Sequence, residues 1–124
     1  MRKTDLQRFR KLLMAEKERV MRSLAQAEKA IMHADGGTAD TPRLHSNHLA
    51  DQGTDEFDLE KTIRVAASEG RYLYHIEQAL VRIEDGSYGK CEECGVNIGL
   101  DRLRALPYTR LCIDCKEKEE ATPR

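Results

Sequence analysis

Tryptophan is missing from this chain, and two phenylalanines and four tyrosines are the only large aromatics among 124 residues. With 40% of positions hydrophobic and 35% charged, there is apolar material for one small or elongated domain, not for a large enclosed active site. An aromatic-studded surface for nucleic acid lacks its raw material. Long apolar runs are absent as well. The stretch M-R-K-T-D-L-Q opens with charge and passes straight into amphipathic sequence, so neither a signal peptide nor a membrane span is expected. The expected compartment is a reducing cytoplasm, where paired cysteines more often mean metal than disulfide.

Cysteine is also sparse, and its placement is the strongest signal in the chain. Cys91, Cys94, Cys112 and Cys115 form two C-x-x-C pairs with seventeen residues between the inner two. Two such pairs fit a closed tetrahedral four-thiolate site holding one zinc ion per chain. The role expected is structural, because catalytic zinc keeps a coordination position open. Gly95, directly after the first pair, can take the positive φ of a metal-gripping turn, and Gly89 serves the approach to it. A thioredoxin-like redox role is the rival, but it needs one C-x-x-C beside a βαβ pattern, and nothing here alternates strand with helix. No nucleophile–base pair or open metal site argues for an enzyme. His33, His45, His48 and His75 lack the short convergent spacing of a second metal site and read as solvated side chains.

The remainder is helical in pattern. Thr4 and Gln7 have capping-box spacing, and no proline or glycine interrupts the chain until Gly36-Gly37, so a first helix is expected over about 5–33. Leu6, Leu13, Val20 and Ala27 recur by sevens, with Phe9, Leu24 and Ile31 beside them, a narrow seam of coiled-coil type. Residues 34–54, with Gly36-Gly37 and Thr41-Pro42, are expected to be a loop, long enough to carry function. Periodicity resumes after Thr54 or Asp55, either of which can cap a second helix over 56–85. There Leu59, Ala66, Leu73 and Leu80 recur by sevens, joined by Ile63, Ile76 and Ile83, and Gly70 is expected to mark a close approach or a bend. Asp85-Gly86 ends the run.

Charge is nearly balanced overall at −1, but it is not evenly spread. Residues 1–33 carry nine Lys/Arg against four Asp/Glu, and residues 55–85 four against eight, so the two helices are electrostatic complements. The expected fold is therefore mainly α: an antiparallel coiled-coil hairpin over 1–85 with a tip loop at 34–54, on a small zinc-finger base over 86–124 that ends in a short helix. Two helices bury little apolar area, so zinc should fasten the open end, and a structural zinc contributes on the order of 10 kcal/mol in small fingers. A monomer is expected. The base has seven basic and seven acidic side chains, which weighs against its gripping phosphates.

The composite of a helical hairpin, then I-E-D-G-S-Y-G-K-C-E-E-C-G-V-N-I, R-L-x-A-L-P and L-C-I-D-C-K, resembles the DksA/TraR family of bacterial transcription regulators. The resemblance is detailed over about 45–116 and covers the first helix in pattern only. It implies a regulator that binds RNA polymerase, not DNA, enters the secondary channel, and sets an acidic hairpin tip near the catalytic magnesium. Asp51 matches the aspartate most associated with activity. The first aspartate of the family's D-x-x-D-x-A tip is His48 here, its alanine is Gly53, and Asp55 offers a further acid. Asp51 and Asp55 also stand where caps of the second helix would. Of the basic residues with which some members bind ppGpp, Lys116 matches, whereas Leu106 and His75 replace an arginine and a lysine; ppGpp binding is not expected. Two other classes compete: a zinc-ribbon module binding nucleic acid directly, and a structural protein that oligomerises through its coiled coil.

Overall fold

An uninterrupted stretch of helix formers from the start of the chain becomes α1, Lys3–Ala34, in the computed structural model. The structure describes the backbone of residues 1–34 and 49–122, with side chains at 1–33 and 56–122. Three further helices follow: α2 (Leu49–Asp85), α3 (Leu100–Ala105) and α4 (Ile113–Ala121). Among the described residues the extended pairing is an isolated antiparallel bridge between Lys90 and Asn97. The architecture is the expected one, mainly α with a long-helix hairpin and a four-cysteine base.

Two boundaries differ from the sequence pattern. Because α1 begins at Lys3, Thr4 is its second residue and not a cap, and the backbone N–H of Leu6 already bonds the carbonyl of Arg2 at 3.0 Å. More consequentially, α2 begins at Leu49 rather than at 56, so the expected loop over 34–54 is too long at its far end. Leu49, Ala50 and Gln52 are good helix formers and outweigh the roughly 1 kcal/mol that Gly53 costs. Thr54 and Asp55 therefore lie within the helix and not at its N-cap position, while position 51 falls in its first turn. The other end is as expected: Gly86 takes φ +85°, and the N–H groups of Ser87 and Tyr88 both reach back to the Arg82 carbonyl, at 3.0 and 3.1 Å.

Packing divides the chain into two units, Met1–Glu18 with Leu73–Arg124, and Arg19–Tyr72. The division thus falls across both long helices and not at Gly86, because the ends of α1 and α2 share a core with the base. In the first unit, ion pairs Arg10–Glu84 and Lys17–Glu77, both 3.7 Å, fix an antiparallel register: a step of seven along α1 is a step of seven back along α2. Both pairs are solvent-exposed enough that they set register more than stability. The core here joins Phe9 and Leu13 of α1, Ile76 and Ala79 of α2, and Tyr88, Ile98, Leu103 and Leu111 of the base.

In the second unit Val20 is fully buried, while Leu24, Ala27, Leu59 and Ala66 are half-buried. Ile63, expected in the seam, is 46% exposed, and Thr62 takes the seam position. A seam anchored on Leu59, Ala66 and Leu73 recurs at +3, so 62 and 69 face inward and 63 does not. Gly70 marks no close approach: a Cβ built there meets nothing within 4 Å.

Candidate metal centre

Each cysteine pair is held by main-chain geometry that its sequence dictates. In the first turn the Cys91 N–H bonds the Val96 carbonyl at 2.8 Å and the Gly95 N–H returns to the Cys91 carbonyl at 3.0 Å, with Gly95 at φ +78°. Gly89 has φ +88°, a backbone conformation that favours glycine; the 2.5 Å approach of a Cβ there would be to the mobile end of the Met1 side chain, which can move aside. The Ile98 N–H closes the turn on the Gly89 carbonyl at 2.7 Å. The second pair opens α4: Cys112 occupies the N-cap position, and its carbonyl accepts from the Lys116 N–H at 2.9 Å. Cys115 follows one turn later. The two turns are tied together by the Glu92 N–H donating to the Arg110 carbonyl at 3.0 Å.

The four sulfurs lie within 4.8 Å of one another, and Cys94 and Cys112 are 3.7 Å apart. A tetrahedron with metal–sulfur bonds of about 2.3 Å has edges of about 3.8 Å, so the donor set is shaped for one zinc ion. No cysteine is in a disulfide. Burial pushes the Cys91 thiol up, but N–H groups of Cys94, Cys112 and Glu93 aimed at its sulfur outweigh this and bring it to about 6. Cys115 is pushed up to about 12, first by its bond with Cys112 and then by burial. Cys94 also sits above the ordinary thiol range, the pull of the Val96 N–H being outweighed by burial and by Cys91 and Cys112.

Around the cluster runs a polar frame that the sequence pattern did not announce. Arg82, buried at 8% exposure near the end of α2, donates to the carbonyls of Tyr108 at 3.0 Å and Thr109 at 3.4 Å and lies 3.7 Å from Glu92. Burial draws its pKa down, opposed chiefly by Glu92. Arg110 pairs with Glu92 at 3.6 Å and Glu119 at 2.8 Å, linking the first turn to α4. Arg102, from R-L-x-A-L-P, donates to the Leu111 carbonyl at 3.1 Å. Tyr88 donates through its hydroxyl to the Pro107 carbonyl at 2.7 Å and packs its ring 5.6 Å from Phe9. Arg82 gave no signal because it stands among apolar seam residues at an unremarkable spacing.

The other candidate positions are dispersed. Asp51, Gly53 and Asp55 are within α2, and His48 and His45 lie outside the described residues. His33 is exposed; His75 stacks on Tyr108 with ring centroids 6.3 Å apart; Lys116 is exposed and 4.0 Å from Glu120. Among the described residues the four cysteines are the only grouping able to hold a metal. No helix among the described residues is long and apolar enough to cross a membrane.

Comparison with known proteins agrees with this geometry. Residues 86–121 match the prokaryotic dksA/traR C4-type zinc finger. The chain is 34% identical over 122 residues to the RNA polymerase-binding transcription factor DksA of Caulobacter vibrioides, covering 97% of this chain and 79% of the relative. It is 31% identical over 120 residues to the protein of that name from Escherichia coli K12, covering 97% and 74%. The structure of transcription factor DksA2 from Pseudomonas aeruginosa superposes with a TM-score of 0.79 at 28% identity, over 97% of this chain and 86% of that one. The match to the zinc finger and the geometry of its thiols agree that the four cysteines hold one structural zinc. With the helical hairpin, the zinc site and near end-to-end similarity all in agreement, this chain belongs to the DksA/TraR family.

Proposed function

We propose that this protein binds RNA polymerase and regulates transcription through the secondary channel of the enzyme, with the tip of the hairpin near the catalytic magnesium. The observation that carries this reading is similarity over 97% of the chain to proteins named RNA polymerase-binding transcription factors, joined to a structural match of the same extent. Asp51, in the first turn of α2, supplies the acidic charge at the tip; His48, Gly53 and Asp55 complete that segment. The protein acts as a monomer without enzymatic activity of its own and without ppGpp at the coiled-coil and finger positions. The base, with seven basic and seven acidic side chains, lacks the positive field of a direct nucleic-acid binder.

The test uses purified bacterial RNA polymerase and promoter DNA. The wild-type protein is expected to bind polymerase and to change the lifetime of promoter open complexes. Asp51→Asn keeps size and polarity but removes the charge, so it should bind polymerase within about threefold of wild type and lose the effect on lifetime. Absence of polymerase binding by the wild type overturns the proposal as a whole. Undiminished regulation by Asp51→Asn overturns the tip mechanism alone.

A further inference from the structure

Arginine is rarely buried unless its donors are used. Arg82 is 8% exposed, and its guanidinium spans from α2 to the backbone just ahead of Cys112, at Tyr108 and Thr109, and to Glu92 between Cys91 and Cys94. A single cation on α2 therefore touches the segments that carry both ligand pairs. Glu92 continues the connection, since its N–H and carboxylate both meet Arg110, at 3.0 and 3.6 Å, and Arg110 holds Glu119 of α4 at 2.8 Å. Metal affinity depends on how well ligand turns are positioned before the ion arrives, and removing a group that orients them commonly weakens binding 10–100-fold. By linkage, a contact that favours the metal-loaded arrangement is itself strengthened when metal binds.

We propose that Arg82, acting through Glu92 and the carbonyls of Tyr108 and Thr109, is a positioning residue that couples zinc occupancy to the seating of the last turn of α2 on the zinc-finger base. The zinc site then does more than stabilise its own turns: its occupancy is read by α2 through one side chain. Lysine at this position keeps the charge but not the planar fork that serves three oxygens at once, so charge alone does not replace it.

The experiment measures zinc affinity of the full chain by competition with a chromophoric chelator, at a temperature where circular dichroism shows helix content unchanged. Arg82→Met and Glu92→Gln are each expected to weaken zinc binding about 10–100-fold, and the double variant little more than the worse single one. Arg82→Lys should fall between. Arg104→Met, which removes an exposed arginine paired with Asp101 at 3.0 Å, is the control and should bind as wild type. In parallel, chelating zinc from the wild type should speed amide exchange at 83–88, and in Arg82→Met this exchange should be fast with or without zinc. Should Arg82→Met fail to fold, Glu92→Gln decides, because it leaves the two carbonyl bonds in place. Affinities of both variants within twofold of wild type, an equal loss in the Arg104→Met control, or exchange at 83–88 that ignores zinc would overturn the coupling and leave Arg82 a packing residue.

Discussion

Removing one oxygen from Tyr88 isolates the bond that joins the end of α2 to the loop before the second cysteine pair. In Tyr88→Phe the ring stays, and with it the burial of a side chain only 4% exposed and the tilted contact with Phe9 at 5.6 Å. What disappears is the 2.7 Å bond to the Pro107 carbonyl, in a site from which water is excluded. Leaving a buried acceptor unpaired costs about 1–3 kcal/mol, so a loss of about 1–2 kcal/mol is expected. Tyr88→Ala, which also empties the ring's volume, should cost roughly 3–5 kcal/mol. Urea unfolding of the zinc-saturated protein measures both. A phenylalanine variant as stable as wild type, or as damaged as the alanine variant, would refute the separation of bond from ring. The same hydroxyl predicts a pH dependence. Burial pushes the Tyr88 phenol above its ordinary value of 10.0. Its contribution is therefore complete below about pH 10, where the phenol is protonated in both states, and is lost as pH climbs from there toward the folded-state value. The stability gap between wild type and Tyr88→Phe should be flat at neutral pH and shrink above about pH 10.

Three further outcomes test other parts of the molecule. Gly70→Ala places a methyl in open space within a helix and should raise stability by about 0.5–1 kcal/mol in thermal unfolding; destabilisation would mean that Gly70 is needed for its backbone. Glu69 occupies a seam position, and its Oε2 is buried without a hydrogen-bond partner among the described residues, so Glu69→Leu should stabilise by about 1–3 kcal/mol; a loss would reveal a partner for that carboxylate. Cys112→Ser removes one of four ligands and should weaken zinc binding and lower thermal stability while keeping most helicity; zinc affinity and stability equal to wild type would refute ligation by Cys112.

The parts of this fold that were legible in the sequence are those with a short-range physical cause. Ligand spacing in C-x-x-C, the positive φ of Gly86 and Gly95, and the heptads of α1 and α2 each follow from a few neighbouring residues. What was not legible depends on tertiary context. The start of α2 at Leu49 could not be told from a loop because Gly53 and Thr54 argue against helix locally, whereas Leu49 and Ala50 argue for it. Ile63 is misplaced by the sequence pattern because an isoleucine is a tempting seam residue at +4, although the register set by Leu59 and Ala66 selects +3, where Thr62 stands. Arg82 is not legible because its hydrogen-bond acceptors lie 26 and 27 residues away, on backbone carbonyls that carry no side-chain signature, and its charge partner Glu92 stands beyond the end of the helix.

The placement of Asp51 sharpens what its substitution means. As the third residue of α2, counted from Leu49, it lies in the turn where a carboxylate stabilises helix by about 0.3–1 kcal/mol through the macrodipole. A loss of regulation in Asp51→Asn, as proposed above, has two possible causes: a missing charge at the polymerase active centre, or a frayed first turn. Gly53 separates them. Gly53→Ala restores about 1 kcal/mol of helix propensity two residues away and adds no charge. If Asp51 acts through helix order, the double variant Asp51→Asn with Gly53→Ala should recover the effect on open-complex lifetime; if it acts through charge, the double variant should stay as inactive as the single one. Asp55, a turn further on, lies beyond the strongest part of the helix dipole, so Asp55→Asn should change helix stability less than Asp51→Asn does. The proposed mechanism predicts an inactive double variant, and recovery of regulation by Gly53→Ala would move Asp51 from a group that acts on the polymerase to one that merely shapes the tip.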